Sequence, residues 1–192
     1  LDCTMWQFGA VEIEDEEYDG NVYYSDYSVK KDDNTGETIH SDDSTANNIN
    51  VFYQTKLSSG RWLPVVKNNE DYAGIRGQNI TGLAITTDTG HIKYRVHVNS
   101  GWLGFIDSRN TNINDYYNGY AGNDTPVDAV EIYYYTPDDI ITSSGYHYAF
   151  YRVSPVNNNY YSPQKDNGTD NGKDGYAGIF GHFIDRIQIN IR

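Results

Sequence analysis

Residues 120–132 read Tyr-Ala-Gly-Asn-Asp-Thr-Pro-Val-Asp-Ala-Val-Glu-Ile, and the elements at both ends of this stretch recur along the chain. Tyr-Ala-Gly occurs three times, beginning at Tyr72, Tyr120 and Tyr176. A short run that alternates apolar and polar residues follows each copy. These runs are residues 80–85, 127–132 and 184–189. Alternation with a period of two predicts strands that bury one face.

A second alternating run precedes each Tyr-Ala-Gly, and a turn with a short aromatic segment lies between the two. The turn is Ser-Gly before Trp62 and Trp102, and the third repeat has Asn-Asn followed by Tyr160 and Tyr161. One such unit cannot bury its apolar face alone, whereas three can share a core. We therefore predict an all-β domain of three internal repeats with β-trefoil-like pseudo-threefold symmetry; a β-sandwich or a β-prism is the alternative. The predicted repeats are residues 51–87, 92–136 and 146–192.

The glycine of each Tyr-Ala-Gly is predicted to be required by its backbone. It provides either a conformation that other residues avoid or a close approach that a side chain would block.

Composition excludes several classes of protein. The 192 residues carry a net charge of −13, so a nucleic acid is a poor partner, because binding a polyanion requires a basic face. No stretch approaches the roughly 20 apolar residues that span a bilayer. The single cysteine, Cys3, cannot form an internal disulfide or a thiolate zinc site. Nineteen tyrosines and 18 glycines favour strands and turns.

The acidity is concentrated before the repeats, since 13 of the 27 acidic residues lie in residues 1–50. Residues 1–31 contain two strand-like runs, 3–13 and 22–29, and are interpreted as an extension or as the remnant of a preceding domain. Residues 32–50 contain almost no apolar side chain and are predicted to be an acidic polar linker. Residues 51–192 form the predicted binding domain.

The second repeat also resembles a known family. Tyr94–Trp102, Ala121-Gly122 and residues 127–132 are similar to the clostridial hydrophobic-Trp cell-surface repeat. Residues 51–136 resemble the cell-wall-targeting domain of zoocin A-type lytic enzymes and streptococcal phage endolysins. The third repeat departs from the pattern because Tyr160 replaces the tryptophan.

This resemblance implies a non-catalytic module that binds peptidoglycan or a wall glycan of Gram-positive bacteria. Its partners would be the wall and a fused or associated catalytic hydrolase. It would act at the bacterial cell wall, after secretion or release from a phage-infected cell. Two alternatives remain: a β-trefoil lectin or protein-interaction domain, and a lytic enzyme in its own right.

Exposed aromatic rings suit such a ligand, because the CH groups of sugars pack on a ring face and polar ring atoms form hydrogen bonds at the edge. Recurring rings are also compatible with a role as core residues. Loop residues add specificity on a rigid scaffold, although the longer loops of repeats two and three also fit tolerated insertions. The candidate ligand-binding residues are Trp62, Trp102, Tyr72, Tyr120, Tyr176, Tyr160, Tyr161, Asn114, Asp115 and Tyr116.

No catalytic residue, metal site or cofactor is predicted. The five histidines lack the His-x-His or His-Glu-x-x-His spacing of hydrolytic zinc sites. A Cys-His hydrolase would need Cys3 as its nucleophile, next to Asp2 and without a cationic neighbour. The run 166–175 is rich in Asp, Asn and Gly but lacks the bidentate Glu of a calcium loop, and it is interpreted as turns.

Overall fold

A computed structural model describes residues 6–13, 16–22 and 49–192 of the chain. Contacts divide the chain into two compact units, residues 1–43 and 44–192. The regular structure is almost entirely antiparallel strand, which confirms the predicted all-β class. Cys3 and most of the predicted linker, residues 32–48, lie outside the described residues.

In the first unit, β1 (Trp6–Ile13) pairs with β2 (Glu16–Val22) in an antiparallel hairpin. The first strand falls within the predicted run 3–13. The second strand forms from an acidic segment that precedes the predicted run 22–29, of which only Val22 is described.

The second unit is built from long and very short strands. The long strands are β3 (Val51–Leu57), β6 (Ile80–Thr87), β7 (His91–Val98), β11 (Val127–Tyr135), β12 (Ala149–Pro155) and β15 (Ile184–Ile191). The two-residue strands are β4 (Val66–Lys67), β5 (Ala73–Gly74), β8 (Gly101–Trp102), β9 (Ile106–Asp107), β10 (Ala121–Gly122), β13 (Gln164–Lys165) and β14 (Ala177–Gly178).

Helical structure is sparse among the described residues. One α-helix, α1 (Asp138–Ser144), leads into β12, and 3₁₀ turns occupy Ser108–Asn110 and Asp170–Gly172. None of these is long and apolar enough to cross a membrane.

The strands of the second unit form three antiparallel sheets with the same order. The first sheet is β10-β6-β3-β4, the second is β14-β11-β7-β8 with β9 also paired to β7, and the third is β5-β15-β12-β13. In each sheet two long strands form the centre, and a short strand that follows the first of them in sequence pairs back onto it. The remaining edge is an Ala-Gly strand.

Each Ala-Gly strand pairs with a long strand of another of the predicted repeats. Ala121-Gly122 pairs with β6, Ala177-Gly178 pairs with β11, and Ala73-Gly74 pairs with β15. The second repeat thus joins the first, the third joins the second, and the first joins the third.

The glycines of these strands are conformationally required, as predicted from the sequence. Gly74, Gly122 and Gly178 have φ values of 131°, 153° and 124°, in a region that L side chains rarely adopt. An added Cβ on Gly178 would lie 2.2 Å from the carbonyl oxygen of Asp128, and on Gly122 2.4 Å from that of Thr81. Only a glycine allows the two backbones to approach so closely.

The core forms where the buried faces of the long strands meet. Burial alternates along β3, with Val51, Tyr53 and Leu57 inside, because successive side chains of a strand point to opposite faces. Burial also alternates along β7 and most of β15, whereas most successive residues of β6 and β11 are buried. Together the long strands supply isoleucines and valines to one continuous apolar cluster. This burial of apolar surface is the main stabilising contribution to the fold.

Three buried tyrosines connect the repeats within this core. The hydroxyl of Tyr94 accepts a hydrogen bond from the Ile85 N–H at 3.2 Å, and that of Tyr151 accepts one from the Ile132 N–H at 3.1 Å. The corresponding contact of Tyr53 is with the backbone of Ile189. Each hydroxyl also bonds within its own repeat: that of Tyr53 donates to the Asn68 carbonyl at 2.7 Å, and that of Tyr151 donates to the Asp166 carbonyl at 2.8 Å. The buried polar atoms of these tyrosines are therefore satisfied by two repeats together.

Burial of these tyrosines predicts an alkaline loss of stability. Burial raises the pKa of Tyr94 to about 12, and it raises the pKa of Tyr53 and Tyr151 as well. In the unfolded chain tyrosine titrates near pH 10. The contribution of these groups to the free energy of unfolding is therefore complete below about pH 10. It is lost as the pH rises towards 12, by about 1 kcal/mol per tyrosine for each pH unit.

Urea unfolding between pH 9 and 11 tests this expectation, with the variant Tyr94→Phe as its control. The variant should show a smaller decrease of the unfolding free energy across that interval, since one buried titrating group is missing. An unfolding free energy that stays constant from pH 9 to 11 would contradict the prediction.

Candidate functional site

Aromatic rings from two repeats meet beside each Ala-Gly strand. The first junction cluster consists of Trp62, Tyr120, Tyr116 and Lys56. Trp62 is half-buried and packs edge-on against Tyr120 with ring centroids 5.0 Å apart. Tyr116 contacts the same tyrosine at 6.1 Å. Because Tyr120 is only 3% exposed, it supports the cluster from below, and Trp62 and Tyr116 present the accessible surface.

A cation completes the first junction cluster. The Lys56 ammonium lies 5.5 Å from the centre of the Tyr120 ring and 2.7 Å from a carboxylate oxygen of Asp124. The hydrogen bond to Asp124 raises the pKa of Lys56, so the ammonium stays charged across the physiological range. The cluster therefore offers a ring face and a neutralised ion pair.

The second junction cluster consists of Trp102, Tyr176, Phe180, His97 and Arg95. The Trp102 ring is half-buried and packs edge-on against Tyr176 at 5.4 Å and His97 at 5.2 Å. Phe180 stacks on His97 at 3.9 Å and on Tyr176 at 4.9 Å, while 47% of its surface remains exposed. Phe180 and Trp102 therefore provide accessible aromatic surface in this cluster.

The guanidinium group of Arg95 packs against the rings of Trp102 and Phe105 at the second junction cluster. Its guanidinium lies 4.6 Å from the Trp102 ring centre and 4.4 Å from that of Phe105, and its Nε donates to Glu131 at 2.6 Å. Stacking between two rings combined with an ion pair fixes a planar donor group beside the tryptophan.

The third junction cluster consists of Tyr160, Tyr72, Arg152 and Arg186. Two guanidinium groups lie near the centre of the Tyr160 ring, that of Arg152 at 4.5 Å and that of Arg186 at 5.1 Å. Arg186 also lies 5.7 Å from the ring centre of Tyr72, which is 40% exposed. Arg186 alone lies near both rings of this cluster, whereas the rings contact each other directly in the other two clusters.

The predicted binding residues thus fall mostly at the repeat junctions. The ring after each turn meets the tyrosine of the next Tyr-Ala-Gly in the first and second clusters, and in the third the two rings share Arg186. Tyr161 lies next to the third cluster, where it packs against the core and its hydroxyl lies 3.1 Å from His182 Nδ1.

The loop candidates of the second repeat have different positions. Asn114 is exposed, and Tyr116 belongs to the first junction cluster. The Asp115 carboxylate accepts hydrogen bonds from the backbone N–H groups of Tyr117 and Asn118 at 3.0 and 3.1 Å. Its oxygen therefore stabilises the loop turn, which holds Tyr116 against Tyr120.

Two buried carboxylates beside the clusters were not identified from the sequence. Asp128 hydrogen-bonds His97 at 2.6 Å and accepts from the Gly181 N–H at 2.7 Å. Asp185, at the equivalent place in the third repeat, holds Arg186 at 3.0 Å. The available signal was an acidic residue at the same position of the alternating runs 127–132 and 184–189, where it faces the protein interior.

Removing the Asp128 carboxylate provides a test of this support. We expect Asp128→Ala to lower the free energy of unfolding by about 2 kcal/mol, because the partly buried His97 ring and the Gly181 N–H both lose the buried carboxylate that they contact. Chemical denaturation measures the change. The matched control is Glu70→Ala, which removes a carboxylate from an exposed pair with Lys67 at 3.8 Å and should change stability by less than about 0.5 kcal/mol. Equal losses in the two variants would contradict the assignment.

The described residues contain no group of three or more His, Cys, Asp or Glu side chains that could hold a metal ion. Asp166, from the Asp/Asn/Gly-rich run, is buried, and its carboxylate accepts hydrogen bonds from the N–H groups of Ala149 and Tyr134. Burial raises the pKa of Asp166. Its carboxylate links the end of β11 to the start of β12.

The chain was compared with protein-family models, curated proteins and solved structures, and none of them matches it. The functional conclusion therefore depends on the residues of the chain itself.

Proposed function

We propose that residues 51–192 form a non-catalytic module that binds peptidoglycan or a wall glycan of Gram-positive bacteria and carries a lytic enzyme to the wall. The observation that supports this most is the recurrence of a junction cluster, with aromatic rings beside a cation, in all three repeats. A single reactive centre would not require three similar clusters.

The chemistry of the clusters fits a polar, repetitive ligand. Half-buried rings present CH-binding faces that are already ordered, so little conformational entropy is lost on binding. The adjacent lysine and arginine side chains donate hydrogen bonds to hydroxyl, amide or acidic groups. Three weak sites on one rigid unit gain affinity for a polymer, because binding at one site raises the effective concentration at the others.

The finer architecture is also a proposal. Three sheets with one strand order and cyclic Ala-Gly pairing support three structural repeats in a pseudo-threefold arrangement. The centre of each sheet is a separate pair of long strands, and this favours the β-prism alternative over the β-trefoil-like one.

Sedimentation with purified wall sacculi tests the wall-binding proposal. The full chain should appear in the pellet with Gram-positive sacculi and should leave their turbidity unchanged. Absence from the pellet would reject wall binding, and a fall in turbidity would favour the alternative of a lytic enzyme. Strong binding to host glycans on an array without binding to sacculi would favour a lectin.

A further inference from the structure

The outward face of the third sheet is cationic although the chain is acidic. Seven side chains of β12, β15 and their flanking residues form this face, since their neighbours at alternate positions are buried. They are Tyr148, Phe150, Arg152, Arg186, Gln188, Asn190 and Arg192. Three of the seven are arginines and none is acidic, in a chain whose net charge is −13.

The arginines of this face are held over aromatic rings. Arg192 lies 4.3 Å from the ring centre of Phe150, and Arg152 lies 4.5 Å from that of Tyr160. On the adjacent strand β13, the Lys165 ammonium lies 3.6 Å from the centre of the Tyr148 ring. Packing on a ring restricts the positions that each cation can take.

Carboxylates do not neutralise most of this charge. Arg186 is paired with the buried Asp185, but Arg152, Arg192 and Lys165 form no ion pair with any residue in the described part of the chain. Arg152 instead donates to the amide oxygen of Gln188 at 2.8 Å. In the other two junction clusters, by contrast, Lys56 and Arg95 each have a carboxylate partner.

The face also has the size and shape for an extended ligand. Arg186 and Arg192 are six residues apart along β15 and the residue that follows it, which corresponds to a distance of roughly 20 Å along the strand. A shallow cleft of about 290 Å³ runs across it and is lined by Phe150, Arg152, Gln188 and Arg192 among others. Within the third junction cluster, the hydroxyl of Tyr160 has no hydrogen-bond partner among the described residues.

We propose that the outward face of the third sheet binds a negatively charged wall glycopolymer through its phosphate or carboxylate groups. The inference rests on the proposed wall-binding function and names the ligand class of the third junction cluster. Guanidinium groups form paired hydrogen bonds to both kinds of anion, and the rings beside them pack on the sugar or polyol units between the charges.

The test uses soluble polymers and the full chain. Affinities for poly(glycerol phosphate) and for polygalacturonate are measured by isothermal titration calorimetry at 50 and 300 mM salt. We expect binding to at least one polymer, weaker at high salt because charge interactions are screened. The double variant Arg152→Gln/Arg192→Gln should bind that polymer at least tenfold more weakly. The two polymers distinguish phosphate from carboxylate recognition.

A charge-matched control separates a local effect from the loss of net charge. Lys67→Gln/Arg109→Gln removes two cations that lie elsewhere and are paired with carboxylates, and it should bind as the wild type does. Circular dichroism verifies that both double variants are folded. The variant Arg152→Lys/Arg192→Lys keeps the charge, and its affinity for the polymer should lie between those of the wild type and the Gln variant.

Three results would overturn the inference: no binding of the wild type to either polymer, equal weakening in the two charge-matched variants, or tighter binding to a single-stranded oligonucleotide than to both polymers. Because these measurements contain no wall material, they can fail while sacculi are still bound. Loss of sacculus binding alone would instead count against the proposed function.

Discussion

Replacement of Gly178 by alanine is expected to lower the free energy of unfolding by about 4 kcal/mol. A loss of this size is a large fraction of the total unfolding free energy of an ordinary domain, so part of the protein would be unfolded. Two costs combine in this variant. The added Cβ would lie 2.2 Å from the carbonyl oxygen of Asp128 and 2.7 Å from the Cα of Ala129. The backbone of Gly178 also has φ 124°, which alanine adopts only with strain. The Ala-Gly strand would therefore separate from β11.

The control for this variant is Gly101→Ala. Gly101 has a similar φ of 114°, but an added Cβ would have no heavy atom within 4 Å. Its substitution should cost only the conformational strain, about 1–2 kcal/mol. Urea denaturation of the two variants separates the close approach from the strain. Equal destabilisation would show that the contact between repeats is not tight.

Replacement of Trp102 by alanine is expected to lower the affinity for wall sacculi, measured by sedimentation, by about 30-fold or more. Half-buried aromatic residues at the centre of a contact surface typically contribute about 2 kcal/mol or more to binding. Trp102 also supports Tyr176 and Arg95, so its loss disorders the second junction cluster. Trp62→Ala should have a smaller effect, since Trp62 contacts one ring, that of the buried Tyr120, whereas Trp102 contacts Tyr176, His97 and Phe180.

The control for the sacculus assay is Tyr146→Ala. Tyr146 is 67% exposed and takes part in none of the ring contacts found among the described residues. Its removal should leave sedimentation unchanged. This result would show that a general loss of aromatic surface does not cause the weaker binding of Trp102→Ala. Thermal unfolding of each variant establishes that it is folded at the assay temperature. Retention of wild-type sedimentation by folded Trp102→Ala would contradict a role for the second junction cluster.

Much of the fold follows from the repeated pattern. Alternating apolar residues predicted the long strands, and the glycine of Tyr-Ala-Gly was predicted to need a special backbone or a close approach. The pairing of Ala177-Gly178 with β11 was not predictable, because a two-residue strand has no periodicity of its own and its partner lies far away in sequence. Burial of Tyr53, Tyr94 and Tyr151 also depends on a hydrogen-bond partner in another repeat, which no local pattern shows.

The candidate sites were predictable in residue type but not in environment. Tyr72 and Tyr120 occupy the same motif position, yet 40% of Tyr72 and 3% of Tyr120 is exposed. The difference arises from the neighbours, since Trp62 and Tyr116 cover Tyr120, whereas Tyr72 faces Arg186 and the third sheet. The cationic face was missed because its arginines are spread over separate strands that only the sheet brings together.

The cyclic exchange of Ala-Gly strands also affects how the protein folds during synthesis. A tandem array can fold repeat by repeat as it leaves the ribosome, because each repeat contacts only its neighbours. Here Ala73-Gly74 has its partner on β15, more than a hundred residues later. The Ala-Gly edge of the first repeat therefore stays unpaired until β15 has been synthesised, at the end of the third repeat. We expect folding to be slow and dominated by distant contacts.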